Sequence, residues 1–159
     1  MLFRSYTDAV RKLTEGFDYV ELAPDGEIGL LTTGAGLSMM LIDELTARGG
    51  KPLNFLDIRT GQLRGSPTRI IHALTWMAER PSLKVVLVNI FAGITDLGEF
   101  SRLLVEAIRR VPELDKPVVA RLVGNNLAAA RETFAAAGIA LYTDLDEAVA
   151  EVRRLLEAA

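Results

Sequence analysis

The chain has no cysteine, one histidine and one tryptophan among its 159 residues. Without cysteine there is no disulfide, no thiolate metal site and no thiol nucleophile. The single histidine, His72, excludes a histidine-rich metal centre. It lies in the helix-like run IIHAL, and no serine–histidine–aspartate arrangement surrounds it. A charge excess is lacking too: 18 basic and 21 acidic side chains leave a formal net charge of −3. That balance leaves no electrostatic footprint for nucleic acid. Long apolar runs are also missing. The longest uncharged stretch, residues 28–42, holds three glycines and is too short to span a bilayer. The opening MLFRSYTDAVRKL has no signal-type apolar run. The expectation is a soluble, cytoplasmic protein with no nucleic-acid or membrane partner, which the lack of disulfides suits.

What is present is a core: 50% of the residues are apolar, enough for one domain without staples. Apolar runs alternate with helix-period segments. Strands are expected at residues 28–31, 53–58, 85–91, 118–122 and 139–142. Helices are expected at 35–48, from Ser66 and Pro67 to about Glu79, from Asp96 to about Arg110, from Asn125 or Asn126 to Ala137, and from Asp144 onward. The punctuation supports these bounds. Gly49-Gly50 and Gly138 are helix stops, Ser66-Pro67 reads as N-cap and first helical residue, and Asp96 with Glu99 forms a D-x-x-E capping signature. Leu37, Met40, Leu41 and Leu45 are expected on the inner side of the first of these helices. The run VVLVNIF is apolar without alternation, as a strand covered on both faces should be.

Five strands alternating with five helices point to an α/β fold. The expected form is a doubly wound, flavodoxin-like five-stranded parallel sheet with helices on both faces. Residues 19–22 add an edge strand, and residues 1–16 read as a linker or short helix ahead of a domain at 17–159.

In such sheets ligands bind beyond the carboxyl ends of the strands. Two loops stand there. Thr33-Gly34-Ala35-Gly36 joins a strand to a helix N-terminus, where glycines let backbone N–H groups approach an anion. It is no dinucleotide fingerprint, because Met39 stands where the third glycine belongs, and no Gly-Lys-Ser/Thr follows it. Ala92-Gly93-Ile94-Thr95-Asp96 leaves the strongest strand with backbone donors and the Thr95 hydroxyl. Each loop also reads as a plain tight turn, and Asp96 repels a phosphate unless it is turned into its cap. Arg59 and Arg64 offer a third, weaker anion contact. Asn89, in a buried-looking strand, needs a hydrogen-bond partner. None of these residues completes a catalytic set.

In order, the segments FDYVEL, GEIGLLTTGAGLSMMLIDELTARGGKPLNFLDI, LKVVLVNIFAGIT, KPVVARLVGNN and the closing helix resemble the C-terminal, CoA-ligase domain of the succinyl-CoA synthetase (ADP- or GDP-forming) β subunit. The likeness covers about residues 17–158. It implies an acid–thiol ligase part of acyl-CoA metabolism. A separate ATP-grasp domain supplies ATP or GTP with Mg²⁺. An α-type, CoA-binding subunit carries the phosphorylated histidine. The acid becomes an acyl phosphate, which CoA attacks to give a thioester. This domain binds no cofactor or metal itself, offers a helix N-terminus to the phosphohistidine and the acid substrate, and is inactive as an isolated chain. By position the substrate loop falls on Gly93, Ile94 and Thr95, and the upstream contact on Thr33, with Gly34 and Gly36 beside it.

The departures from the family pattern cluster at the ligand edge. Thr33 stands for the usual Asn, Ala92-Gly93 for Gly-Gly, Thr95-Asp96-Leu97-Gly98 for Val-Arg-Cys-Asp, and Arg59-Thr60-Gly61-Gln62 for Gly-Gly-Gly-Ala. They make the anion site less positive, and they imply an acyl group other than succinate or a loss of catalysis. A non-catalytic assembly module is therefore the competing reading. A flavin- or phosphate-binding flavodoxin-like protein is a third, though no aromatic pair stands ready for the ring. A phosphoacceptor receiver fits less well, because Tyr142-Thr143 stands where its lysine belongs.

Overall fold

The computed structural model describes residues 18–60 and 63–159. The expected linker or short helix at 1–16 lies outside them. The strands are β1 (Asp18–Glu21), β2 (Ile28–Thr32), β3 (Asn54–Asp57), β4 (Val85–Asp96), β5 (Val118–Asn125) and β6 (Ala140–Tyr142). The helices are α1 (Ala35–Ala47), α2 (Thr68–Ala78), α3 (Leu97–Arg110), α4 (Leu127–Ala137) and α5 (Leu145–Ala158).

A parallel ladder runs β2-β4-β5-β6. β3 lies beside β2 but pairs in its own two-stranded sheet with β1, and it meets β2 by an unusual join. Backbone bonds close only its ends, Leu53 N–H to the Ile28 carbonyl at 2.8 Å and Ile58 N–H to the Thr32 carbonyl at 2.9 Å. Between them the buried Asn54 amide stands in for the ladder. Its Oδ1 accepts from Leu30 N–H and its Nδ2 donates to the Leu30 carbonyl, each at 2.9 Å. Thr32 Oγ1 adds a bond to the Leu56 carbonyl. β1 pairs antiparallel to β3 as the expected edge strand. Its Tyr19 ring meets Trp76 of α2 edge to face, centroids 4.9 Å apart.

The two faces are unequally covered. Leu31, Val86, Val88, Ala120 and Leu122 point to the larger core, under α2, α3 and α4. Leu30, Leu87 and Val119 point to a smaller one, under α1 and α5. Because β4 and β5 are covered on both sides, their apolar letters run on rather than alternate.

Several local expectations need correction. On α1 only Ser38, Leu41 and Leu45 are buried, whereas Leu37 is 44% and Met40 68% exposed. The 3.6-residue turn rotates Met40 away from the Ser38–Leu45 stripe. The sequence 92–96 is not a free loop: β4 continues to Asp96, and its register with β5 breaks between Ala92 and Asp96, so residues 93–95 form a bulge. α2 starts one residue later than expected, with Pro67 at the N-cap and Ser66 Oγ accepting from Thr68 N–H at 3.3 Å. Asn126 and Asp144 occupy N-cap positions without making a side-chain cap bond. The Gly49 and Gly138 stops are as expected, each in the left-handed region (φ 84° and 71°) that suits glycine.

Candidate functional site

The carboxyl ends of the strands gather the six expected site residues into two groups. Thr33, Gly34 and Gly36 lead from β2 into α1. Thr33 is 8% exposed, and its Oγ1 accepts from Phe91 N–H at 3.3 Å, which ties this loop to β4. Gly34 has φ 80° and donates its N–H to Asp57 Oδ1 at 3.0 Å. The same carboxylate oxygen accepts from Arg59 N–H at 3.3 Å. Helix bonding starts at Ser38 N–H, which reaches the Gly34 carbonyl at 2.9 Å. The N–H groups of residues 35–37 therefore have no acceptor among the described residues. No acidic residue lies in this first turn. A Cβ on Gly36 would meet nothing within 4 Å, so its backbone faces open space.

Gly93, Ile94 and Thr95 form the second group, in the β4 bulge. Gly93 is exposed, a Cβ there would meet nothing within 4 Å, and its carbonyl accepts from Asn125 Nδ2 at 3.3 Å. Thr95 Oγ1 turns to Thr60 Oγ1 at 3.1 Å, so the bulge leans on the β3–α2 connection. The α3 N-terminus behind it is already occupied. Asp96 Oδ1 accepts from Glu99 N–H at 3.1 Å, and Asn126 Nδ2 donates to both Asp96 oxygens at 3.0 and 3.2 Å. The Asn126 amide, then the Glu99 N–H, hold the Asp96 carboxyl below its ordinary range. Asn126 does not cap α4 because its backbone is left-handed (φ 63°) rather than extended, and its amide is turned toward Asp96.

The two helix N-termini thus differ. That of α3 is neutralised by its own carboxylate, while that of α1 presents three free donors with Asp57 at their flank. Asp57 was not among the expected site residues. A lone acid ending a strand reads as solvated, and only the return of β3 beside β2 brings it to Gly34. The expected partner of Asn89 is Arg121 of β5, whose Nη1 donates to Asn89 Oδ1 at 3.2 Å. His72 lies on α2 and stacks on Trp76, ring centroids 6.2 Å apart.

Among the described residues no group of three His, Cys, Asp or Glu side chains could hold a metal, and no helix is long and apolar enough to cross a membrane. A cavity of about 520 Å³ opens at the other edge of the sheet, beside Lys116, Val118, Ala140 and Leu155. Its lining is largely apolar and holds none of the expected site residues. The convergent donors lie at the carboxyl edge, which is the candidate site.

The profile of the CoA-ligase family matches residues 31–155. The β subunit of the ADP-forming succinate–CoA ligase of Desulfurococcus amylolyticus is 41% identical over 140 residues, 88% of this chain and 35% of that protein. The same subunit of Ignicoccus hospitalis is 41% identical over 144 residues, 91% of this chain and 37% of that protein. The chain thus spans about a third of the length of these curated relatives. Among solved structures, ATP citrate lyase from Methanothrix soehngenii, in complex with citrate and coenzyme A, superposes with a TM-score of 0.63. That likeness covers 86% of this chain and 40% of the lyase chain at 18% identity, and it bears on the fold alone.

Proposed function

Because this chain belongs to the CoA-ligase family, we propose that residues 17–159 are the ligase domain of a nucleoside-diphosphate-forming acyl-CoA synthetase of the succinyl-CoA type, incomplete without its other parts. A phosphohistidine on an α-type, CoA-binding subunit docks at the α1 N-terminus. The N–H groups of residues 35–37 bind its phosphoryl oxygens as donors fixed in place before the transfer. The Thr33 hydroxyl and the Gly93–Thr95 bulge orient the acid substrate beside it. ATP or GTP with Mg²⁺ belongs to an ATP-grasp domain, and CoA to the α-type subunit. The setting is cytoplasmic.

The observation that carries this reading is Gly36. Neither a positive φ nor a crowded Cβ requires glycine there, and glycine weakens a helix relative to alanine. Close approach of a ligand to the backbone gives that glycine a use.

A second reading has its own support. Asp57 on Gly34 N–H and Asp96 on α3 place two carboxylates at the ligand edge. A protein that kept the docking face and lost the reaction would tolerate both.

One experiment separates the two. The chain is combined with an α-type subunit and an ATP-grasp protein from the same genome, and thiol consumption is followed with a panel of carboxylic acids. Turnover with any acid, dependent on this chain, supports the ligase reading. Stable complex formation with no turnover by any acid favours the assembly reading. Turnover by the chain alone would overturn its dependence on partners.

A further inference from the structure

On the α1/α5 face, the apolar layer Leu30–Leu87–Val119 gives way one step later to a polar row. Register places Thr32, Asn89, Arg121 and Tyr142 side by side across β2, β4, β5 and β6. Thr32 is satisfied by Ser38 Oγ, at 2.5 Å, and by the Leu56 carbonyl. Asn89 and Arg121 are not. Asn89 is 7% exposed, its Oδ1 accepts from Arg121, and its Nδ2 has no acceptor among the described residues. Arg121 is half-buried. Its Nε donates to the Thr143 carbonyl at 3.0 Å and its Nη1 to Asn89, both neutral acceptors. Among the described residues no carboxylate pairs with it, and its Nη2 hydrogens have no acceptor.

A buried amide donor is costly to leave unmet, and the half-buried guanidinium beside it is held in place without a counter-charge. Arginine held in this way presents a fork that matches a carboxylate. The row is near the α1 N-terminus: Phe91, whose N–H meets Thr33, lies two residues beyond Asn89, about 7 Å along the strand. Phe91 itself is 54% exposed and rims the row.

We propose that Asn89 and Arg121 form a carboxylate subsite, taking one end of a dicarboxylic acid whose other end lies at the α1 N-terminus. The dicarboxylate part rests on the function proposed above; the subsite itself rests on Asn89 and Arg121. The guanidinium donates to the carboxylate through its remaining Nη1 and Nη2 hydrogens, and Asn89 Nδ2 adds a third donor.

The test is side-chain and backbone ¹⁵N NMR of the full chain at low salt, titrated with acetate, succinate, glutarate, adipate and inorganic phosphate. The expected result is a shift of the Asn89 Nδ2 and Arg121 Nε resonances with the carboxylates. At least one dicarboxylate should bind about tenfold or more tighter than acetate, the scale of a hydrogen bond to a charged group. Arg121→Gln should reduce that dicarboxylate to the acetate level. Asn89→Asp places a carboxylate against the guanidinium from within, and should block binding while keeping the chain folded. Phosphate should move the amides of residues 35–37 equally in all three proteins. No carboxylate response at Asn89 and Arg121, or unchanged dicarboxylate affinity in both variants, overturns the subsite. Absence of the phosphate response at residues 35–37 counts instead against the function proposed for α1.

Discussion

Replacing Gly36 by alanine should stabilise the fold and harm the site. Gly36 is the second residue of α1, its φ is not positive, and a Cβ there meets no atom within 4 Å. The methyl group therefore adds no strain, and the gain is that of glycine to alanine at a compatible helical position, about 0.4–1 kcal/mol. For a domain of this size that raises Tm by roughly 1–4 °C. The same methyl fills the open space through which the proposed anion would reach the N–H groups of residues 35–37. Phosphate affinity, read from those amides by NMR, should drop about tenfold, the loss of one charge-assisted bond. Thermal unfolding and the titration are run on the same sample. A variant less stable than the parent would refute the structural half of the reasoning. A stabilised variant with unchanged phosphate affinity would refute the functional half, because the open space would then serve no ligand.

Gly34→Ala should behave oppositely in stability. Its Cβ finds room, but φ 80° is unfavourable for alanine, so urea unfolding should show a loss of about 1–2 kcal/mol. Asn54→Leu leaves the buried Leu30 N–H and carbonyl unpaired; at roughly 1–3 kcal/mol for each orphaned group, denaturation should show a loss of about 3 kcal/mol. A loss under about 0.5 kcal/mol, the size of an ordinary surface change, would mean that the amide is not what joins β3 to β2. Asp96 has its folded pKa lowered by Asn126 and Glu99, so its contribution to stability is present above the ordinary carboxylate range and lost as pH falls through the folded value. Asp96→Asn should flatten that part of the stability profile between neutral and acidic pH, measured by urea midpoints; an unchanged profile would assign the pH dependence to other groups.

Periodicity and punctuation are enough to place the framework. The unbroken VVLVNIF run, the Gly49-Gly50 stop and the Asp96–Glu99 cap are each decided by nearest neighbours along the chain, and each stands where local chemistry puts it. Features decided across the chain are not legible in this way. Asn126 is a good cap by composition, yet its left-handed backbone and an amide turned toward Asp96, 30 residues away, leave it without a cap bond. The bulge at 93–95 exists because Asp96 resumes register with Asn125. Leu37 and Met40 look like core because their letters are apolar; only the packing of Ser38 beneath β2 and β3 fixes which side of α1 faces inward. Asp57 and Arg121 are single charges near strand ends, indistinguishable in sequence from solvated ones.

The Asn54 amide also settles a question of uniqueness. Backbone ladders are repetitive: every residue offers the same N–H and carbonyl, so a strand can slide along its neighbour and find new partners at each step. A side-chain amide exists at one place only. If β3 slid by a single residue, both bonds to Leu30 would be lost and the strand's side chains would change faces. Asn54 thus acts as a key that admits one alignment. Three residues further on, that alignment delivers Asp57 to Gly34 N–H, so the position of a carboxylate at the mouth of the site is set by an amide buried well beneath it.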